Sequence, residues 1–126
     1  MRIQESRENY LEAILVLSTQ KPLVRSIDVA NYMEFSKPSV SVAVSNLKNA
    51  LLITVDSEGG LHLTEAGRAL AEQIYERHTT LTRCLTMLGV SPETASEDAC
   101  HIEHCISEES FARIKDFLHR METKGE

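Results

Sequence analysis

Three residues whose side chains bind metal ions lie close together in the carboxyl-terminal third of the chain. Cys100, Glu103 and His104 are spaced i, i+3 and i+4, so on a helix they would project from one face. A thiolate, a carboxylate and an imidazole are all ligands for divalent transition metals. His101, His104 and Cys105 have the same spacing, and the residues alone do not rank the two registers.

Two other places in the sequence offer groups that could complete such a site. His78 lies in the middle of a long predicted helix, and Asn9 and Glu12, spaced i and i+3, face one way from the first predicted helix. The sequence has no glycine-rich phosphate loop, no CxxC pair and no HExxH motif. In the simpler interpretation there is no metal site: Cys100 is a small buried residue, and Glu103 and His104 are solvated surface residues.

The elements that must position these groups follow from hydrophobic periodicity and from capping residues. Helices are predicted over residues 4–18, 26–33, 38–50, 65–88, 92–105 and 108–121, with a frayed tail over 122–126. Strands are predicted over residues 52–55 and 61–63, on either side of a turn that contains two glycines. The predicted amino-terminal caps are Ser26, Thr64, Ser91 and Ser107.

The order of these elements predicts the fold class. A short helix, a tight turn, a second helix and a hairpin are typical of a winged helix-turn-helix. The chain is therefore predicted to be mainly α: a winged helix-turn-helix with a two-stranded wing over residues 1–63, followed by a helical domain over 64–126. The alternative is a small α-rich domain whose hairpin merely covers the core.

Composition limits the class of protein. The 126 residues are 42% apolar and 25% charged, which is ordinary for a soluble globular chain. The uninterrupted apolar runs are too short to predict a membrane-spanning segment. Three cysteines, an odd number, indicate free thiols and a cytoplasmic protein. The net charge of -6 argues against a nucleic-acid partner, but residues 21–48 carry four basic residues against two acidic ones.

Four segments carry a resemblance to a known family. They are ENYLEAI at residues 8–14, SKPSVS at 36–41, LHLTEAGR at 61–68 and EDACHIEH at 97–104. Through them the chain resembles the diphtheria toxin repressor family of metal-dependent transcriptional regulators, which includes iron-dependent and manganese transport regulators. The resemblance covers nearly the whole chain and is closest to the short form, without the SH3-like domain of larger members.

The resemblance implies a function and its residues. The expected protein is a cytoplasmic, metal-activated repressor of metal-ion uptake and homeostasis that binds double-stranded operator DNA as a homodimer. Residues 1–63 would then be its DNA-binding domain, and residues 64–126 a helical metal-binding and dimerisation domain. The implied metal ligands, which favour the register with Cys100, are Asn9, Glu12, His78, Cys100, Glu103 and His104. The candidate DNA-contacting residues, on the third helix, are Ser36, Lys37, Pro38, Ser39, Ser41, Val42, Ser45 and Lys48. The family carries Gln at the position of Val42, so a different operator is expected.

The chain departs from both family prototypes. The manganese type carries Asp and Glu where this chain has Asn9 and Cys100, and the iron type carries Met and Cys. The ancillary site of the iron type corresponds here to His78, Thr82 and Ser96, so that site is not expected. Thiolate and imidazole ligands favour Fe²⁺ over Mn²⁺, and Zn²⁺, Co²⁺ or Ni²⁺ would bind in vitro.

Two other functions compete with this interpretation. One is a metal-sensing or storage module that does not bind DNA. The other is an enzyme with a single metal ion, which a site closed by protein ligands disfavours because catalysis needs an open coordination position.

Overall fold

A computed structural model describes residues 3–124 of the chain, and side chains from residue 6 to residue 123. This part of the chain holds six helices and two strands: α1 (Ile3–Gln20), α2 (Ser26–Met33), α3 (Lys37–Asn49), β1 (Ile53–Val55), β2 (Leu61–Leu63), α4 (Glu65–Met87), α5 (Pro92–Ile102) and α6 (Glu108–Lys124). They divide into two compact units, the first ending at Gln73 and the second beginning at Ile74. Between residues 3 and 124, no helix has both the length and the apolar character needed to cross a bilayer.

The first unit has the predicted order of a winged helix-turn-helix. Helix α2, a short turn and α3 precede the hairpin, in which β1 pairs antiparallel with β2 and Thr54 faces His62. The core of this unit collects the apolar stripes of α1, α2 and α3 together with one residue from each strand. Its buried members include Tyr10, Leu11, Ile14, Val29, Val40, Leu47, Ile53 and Leu61. The hydrophobic periodicity in the sequence therefore predicted the buried faces of α1 and α3 correctly, whereas Ile27, an apolar residue of α2, is 41% exposed.

One predicted helix cap in this unit is wrong by one residue. Ser26 is the first residue of α2, and Arg25 occupies the cap position. The backbone N–H of Arg25 donates to the Asp28 carboxylate over 2.8 Å, so an acidic side chain three residues on performs the capping. The Lys21 ammonium and this backbone N–H hold the pKa of Asp28 below its usual value. In α3, which has proline in its first turn, Ser36 is the cap, and its Oγ accepts from the Ser39 N–H over 3.3 Å.

The junction between the hairpin and α4 is closely packed. Thr64 caps α4 as predicted: its Oγ1 accepts from the Gly67 N–H over 3.1 Å and donates to the Leu51 carbonyl over 2.8 Å. A Cβ at Gly67 would collide with the carbonyl oxygen of Leu52, so this position needs glycine. Leu51 itself has a φ of +63°, which is unusual for leucine.

The second unit consists of the rest of α4 with α5 and α6. Buried apolar residues from all three helices form its core: Ile74, Leu81, Ala95, Ala99, Phe111 and Leu118. Gly89, with a φ of +103°, follows α4, and Ser91 and Ser107 cap the next two helices as predicted.

Two ends in this unit differ from the prediction. Helix α5 ends at Ile102 and not near Cys105, while α6 continues through Lys124 and not only to Met121. Residues 125 and 126 of the predicted frayed tail lie outside the described residues.

Candidate metal centre and recognition helix

The six residues of the expected metal site lie on four segments of the chain. Asn9 and Glu12 are half-buried on α1, in the first unit. In the second unit, His78 is on α4, Cys100 is on α5, and Glu103 and His104 follow α5 in a turn. Glu103 keeps right-handed helical backbone angles, with φ of -58° and ψ of -26°, although the helix itself ends one residue earlier.

Glu103 is the centre of the polar contacts in the second unit. It is among the largest fully buried side chains of the described residues, with 0% of its surface exposed. Its Oε1 lies 2.8 Å from Nδ1 of His78, and its Oε2 lies 3.5 Å from Nε2 of His104. A buried carboxylate between two imidazoles is an arrangement that the charge of a cation would stabilise.

One oxygen of this carboxylate is not satisfied by hydrogen bonds. Among the described residues, Oε2 of Glu103 is buried and has no hydrogen-bond partner, since its approach to His104 is too long for a strong bond. Buried polar atoms are almost always paired, so an orphan oxygen needs a further partner. A divalent metal ion is such a partner, and the carboxylate and imidazole donors fit the ligand preferences of Mn²⁺, Fe²⁺ and Zn²⁺.

His78 is also approached from its other ring nitrogen. Its Nε2 lies 3.4 Å from the Ser96 hydroxyl, and Thr82 donates its own hydroxyl to the His78 carbonyl over 2.7 Å. Ser96 and Thr82 occupy the positions expected to lack the ancillary ligands. Both carry hydroxyl groups already engaged with His78, and neither supplies a carboxylate or an imidazole.

Cys100 lies in a different environment from Glu103. Its side chain is exposed, contrary to the simpler interpretation of it as a small buried residue. The alternative register was His101, His104 and Cys105. It shares His104 with the first register, its other two residues are exposed as well, and it lacks the buried carboxylate of Glu103.

Arg77 was missed by the sequence analysis. Its Nη1 donates to the carbonyls of Glu103 and Ile106, over 3.1 and 2.8 Å. A signal for it was present, since Ile74, Arg77 and Leu81 are spaced i, i+3 and i+7, which puts a charged residue on the buried stripe of α4.

The recognition helix of the first unit presents a polar surface. All eight candidate DNA-contacting residues from Ser36 to Lys48 are exposed, whereas Val40 and Leu47 on the opposite face of α3 are buried. Val42 is 61% exposed, so an apolar side chain projects from the middle of this surface.

Two of the four basic residues between positions 21 and 48 are engaged inside the unit. The Lys21 ammonium lies 2.6 Å from the Asp28 carboxylate, and the Arg25 Nε donates to the Glu58 carbonyl in the wing over 3.1 Å. Lys37 and Lys48 are exposed at the two ends of α3.

Comparison with protein families matches both parts of the chain. Residues 2–61 match the N-terminal DNA-binding domain of iron-dependent repressors. Residues 64–125 match the metal-binding and dimerisation domain of the same repressors.

Individual relatives agree with these matches. The chain is 33% identical to the transcriptional regulator MntR of Escherichia coli, over 93% of this chain and 76% of that protein. It is 29% identical to an uncharacterised HTH-type transcriptional regulator of Methanocaldococcus jannaschii, over 97% of this chain and 99% of that one.

Solved structures show the same similarity. The manganese regulator SloR has a TM-score of 0.80 and 29% identity, over 90% of this chain. The metal-dependent transcriptional regulator MtsR has a TM-score of 0.83 and 27% identity, also over 90% of this chain. The chain spans 53% of the length of each of these two solved chains.

Proposed function

Because this chain belongs to the diphtheria toxin repressor family of metal-dependent transcriptional regulators, we propose that it is a metal-activated repressor of genes for metal-ion uptake and homeostasis. Members of this family regulate transcription and are not enzymes. The observation that carries the proposal is the fully buried Glu103 carboxylate, which has an imidazole beside each oxygen and one oxygen without a hydrogen-bond donor.

The proposed ligands are Asn9, Glu12, His78, Cys100, Glu103 and His104. A bound divalent cation would supply the positive charge that this set of carboxylates and a thiolate lacks. Without it, the negative groups would repel one another. Since Asn9 and Glu12 belong to the first unit and the other four ligands to the second, one ligand set that includes all six would couple metal binding to DNA binding.

Fe²⁺ is the proposed metal, with Mn²⁺ as the second candidate. The presence of Cys100 and Asn9 favours iron, because a thiolate is a softer ligand and the amide removes one negative charge from the site. Mn²⁺ is supported by the solved relatives, among which are the manganese regulator SloR and a manganese-dependent transcriptional repressor in complex with manganese.

Residues 1–63 are the proposed DNA-binding domain and residues 64–126 the proposed metal-binding and dimerisation domain. Double-stranded operator DNA would be contacted by the exposed face of α3 in each of two protomers. The two α3 helices must lie about 34 to 36 Å apart to enter successive major grooves. A homodimer is supported by large apolar side chains exposed in the second unit, among them Leu88, Phe117 and Met121. We place this activity in the cytoplasm.

Metal-dependent DNA binding is the direct test. A duplex DNA pool with a randomised centre is selected for binding in the presence of Mn²⁺, and separately under anaerobic conditions with Fe²⁺ or Zn²⁺. Gel shifts of the selected DNA are then compared with and without each metal. We expect a metal-dependent shift that Glu103→Gln abolishes and that Glu97→Gln, an exposed change on α5, leaves intact.

The outcomes separate the competing functions. Metal binding without any metal-dependent DNA binding would support the storage or sensing module and contradict the repressor. A shift of equal strength with and without metal would contradict metal activation.

A further inference from the structure

Arg77 connects three elements of the second unit at the point where α5 ends. Arg77 belongs to α4, and its Nη1 donates to the carbonyls of Glu103 and Ile106. Its guanidinium carbon lies over the Phe111 ring of α6, 5.5 Å from the ring centre. A cation over an aromatic face adds attraction to the two hydrogen bonds.

The two carbonyls that Arg77 binds lie at the two ends of the short loop between α5 and α6: Glu103 is the carboxyl-terminal cap of α5, and Ile106 directly precedes Ser107, the cap of α6. The last carbonyls of a helix have no donor from a following turn and must find other partners. At the end of α5 the Ile102 carbonyl accepts from the N–H groups of Cys105 and Ile106, and Arg77 donates to the Glu103 and Ile106 carbonyls. Arg77 thus caps α5 through the Glu103 carbonyl, 26 residues away along the chain, and holds the end of the following loop through the Ile106 carbonyl, 29 residues away.

The turn held in this way carries two of the proposed ligands. Glu103 and His104 are consecutive, and His78 follows Arg77 directly on α4. One residue of α4 therefore contacts the Glu103 carboxylate, while the preceding residue fixes the Glu103 backbone. The position of the carboxylate relative to His78 is consequently fixed at both ends of the glutamate.

We propose that Arg77 is a positioning residue of the metal centre: by fixing the turn from Glu103 to Ile106 on α4, it sets the distance between the Glu103 carboxylate and His78. This inference depends on the proposed metal site. It assigns a role to a side chain that binds no metal itself. Groups that orient metal ligands in this way affect metal affinity by about 10- to 100-fold.

Binding of Co²⁺ to the full-length protein under anaerobic conditions tests the proposal. The visible absorption spectrum of bound Co²⁺ reports the number and type of its ligands, and a titration gives the affinity of the protein for Co²⁺. Arg77→Met keeps the length of the side chain and removes every donor. Arg77→Lys keeps the charge and a single donor group. The matched control is Arg83→Met, which removes an exposed arginine of the same helix that pairs with Glu122.

We expect Arg77→Met to lower Co²⁺ affinity by about 10- to 100-fold and to change the spectrum, Arg77→Lys to recover part of both, and Arg83→Met to behave as wild type. If Arg77→Met does not fold, Arg77→Lys decides the matter through the same two measurements.

A purely structural role for Arg77 predicts a different result. The melting temperature of the metal-free protein would then fall, but the affinity and spectrum of the folded variants would match wild type, and the proposal would be wrong. Equal losses in Arg77→Met and Arg83→Met would also overturn it. Wild-type protein that binds no Co²⁺ would instead contradict the metal site itself, and with it both proposals.

Discussion

Oδ2 of Asp56 lies 2.8 Å from Nε2 of His62, and this contact joins the first residue of the turn to the second strand of the wing. The other carboxylate oxygen accepts from the N–H groups of Glu58 and Gly60, over 2.9 and 2.8 Å. One aspartate thus organises the whole turn. These hydrogen bonds, among which that from His62 contributes most, hold the pKa of Asp56 below its ordinary value of 3.8.

The wing should therefore be sensitive to acid. A carboxyl group whose pKa is lower in the folded state stabilises the fold above its unfolded pKa, and this stabilisation is lost as pH falls through the lower folded value. Asp56→Ala should lower the melting temperature at pH 7, and the difference from wild type should shrink below about pH 4. Thermal unfolding followed by circular dichroism across this range measures it. A difference that stays constant down to the lowest pH at which both proteins fold would contradict this role of the charged aspartate.

Leu51 offers a stabilising substitution. It follows α3 with a φ of +63°, which strains the backbone of a leucine. Its side chain is 76% exposed, so burial of this side chain stabilises the fold little. Leu51→Gly should raise the free energy of unfolding by about 1 kcal/mol, because glycine adopts this conformation without steric cost. Chemical denaturation measures the change. Ala50→Gly, next to it at a φ of -82°, is the control and should give no gain; equal effects would mean that backbone strain is not the cause.

Replacement of Cys100 should weaken metal binding more than replacement of Cys105, the other exposed cysteine. If the Cys100 thiolate is a ligand, Cys100→Ser should weaken Fe²⁺ binding by more than about tenfold, the lower limit for loss of a group that only orients a ligand. Cys105→Ser should leave the affinity unchanged although Cys105 is exposed as well. Anaerobic metal titrations provide the comparison, and similar losses in both variants would speak against the register that contains Cys100.

Asn9 should tune the choice of metal. Replacing its neutral amide by a carboxylate of the same shape adds a negative charge, which favours the harder cation. Asn9→Asp should therefore raise Mn²⁺ affinity relative to Fe²⁺ and let Mn²⁺ activate DNA binding at a lower concentration. DNA affinity at saturating metal should change little. An unchanged ratio of the two metals would exclude Asn9 as a direct ligand.

Sequence patterns predicted the order of the elements because local rules govern it. The apolar stripes containing Ile14 and Leu47, the capping residue Thr64 and the proline after Ser91 all act within a few residues of their position. The helix ends that were wrong depend on distant partners. Helix α5 stops at Ile102, where Arg77 binds the following carbonyls, and α6 continues past Met121, where Glu122 pairs with Arg83.

The candidate site shows the same division. The ligand types at residues 78, 103 and 104 were visible in the sequence. The complete burial of Glu103 and the exposure of Cys100 were not, because helical spacing places residues on one face but does not determine which of them is buried. The simpler interpretation had the reverse, a buried cysteine and a solvated glutamate.

The internal bonds of Lys21 and Arg25 bear on how this protein would bind DNA as salt concentration changes. Both cations already interact within their own unit, which leaves Lys37 and Lys48 as the basic residues of α3 that face outward. A dimer using only these would neutralise about four phosphates, so the logarithm of its DNA affinity should fall with that of the salt concentration at a slope of about -4. Few counterions would be released on binding. Discrimination of the operator would then depend more on contacts to bases, including one from Val42, than on attraction to the DNA backbone.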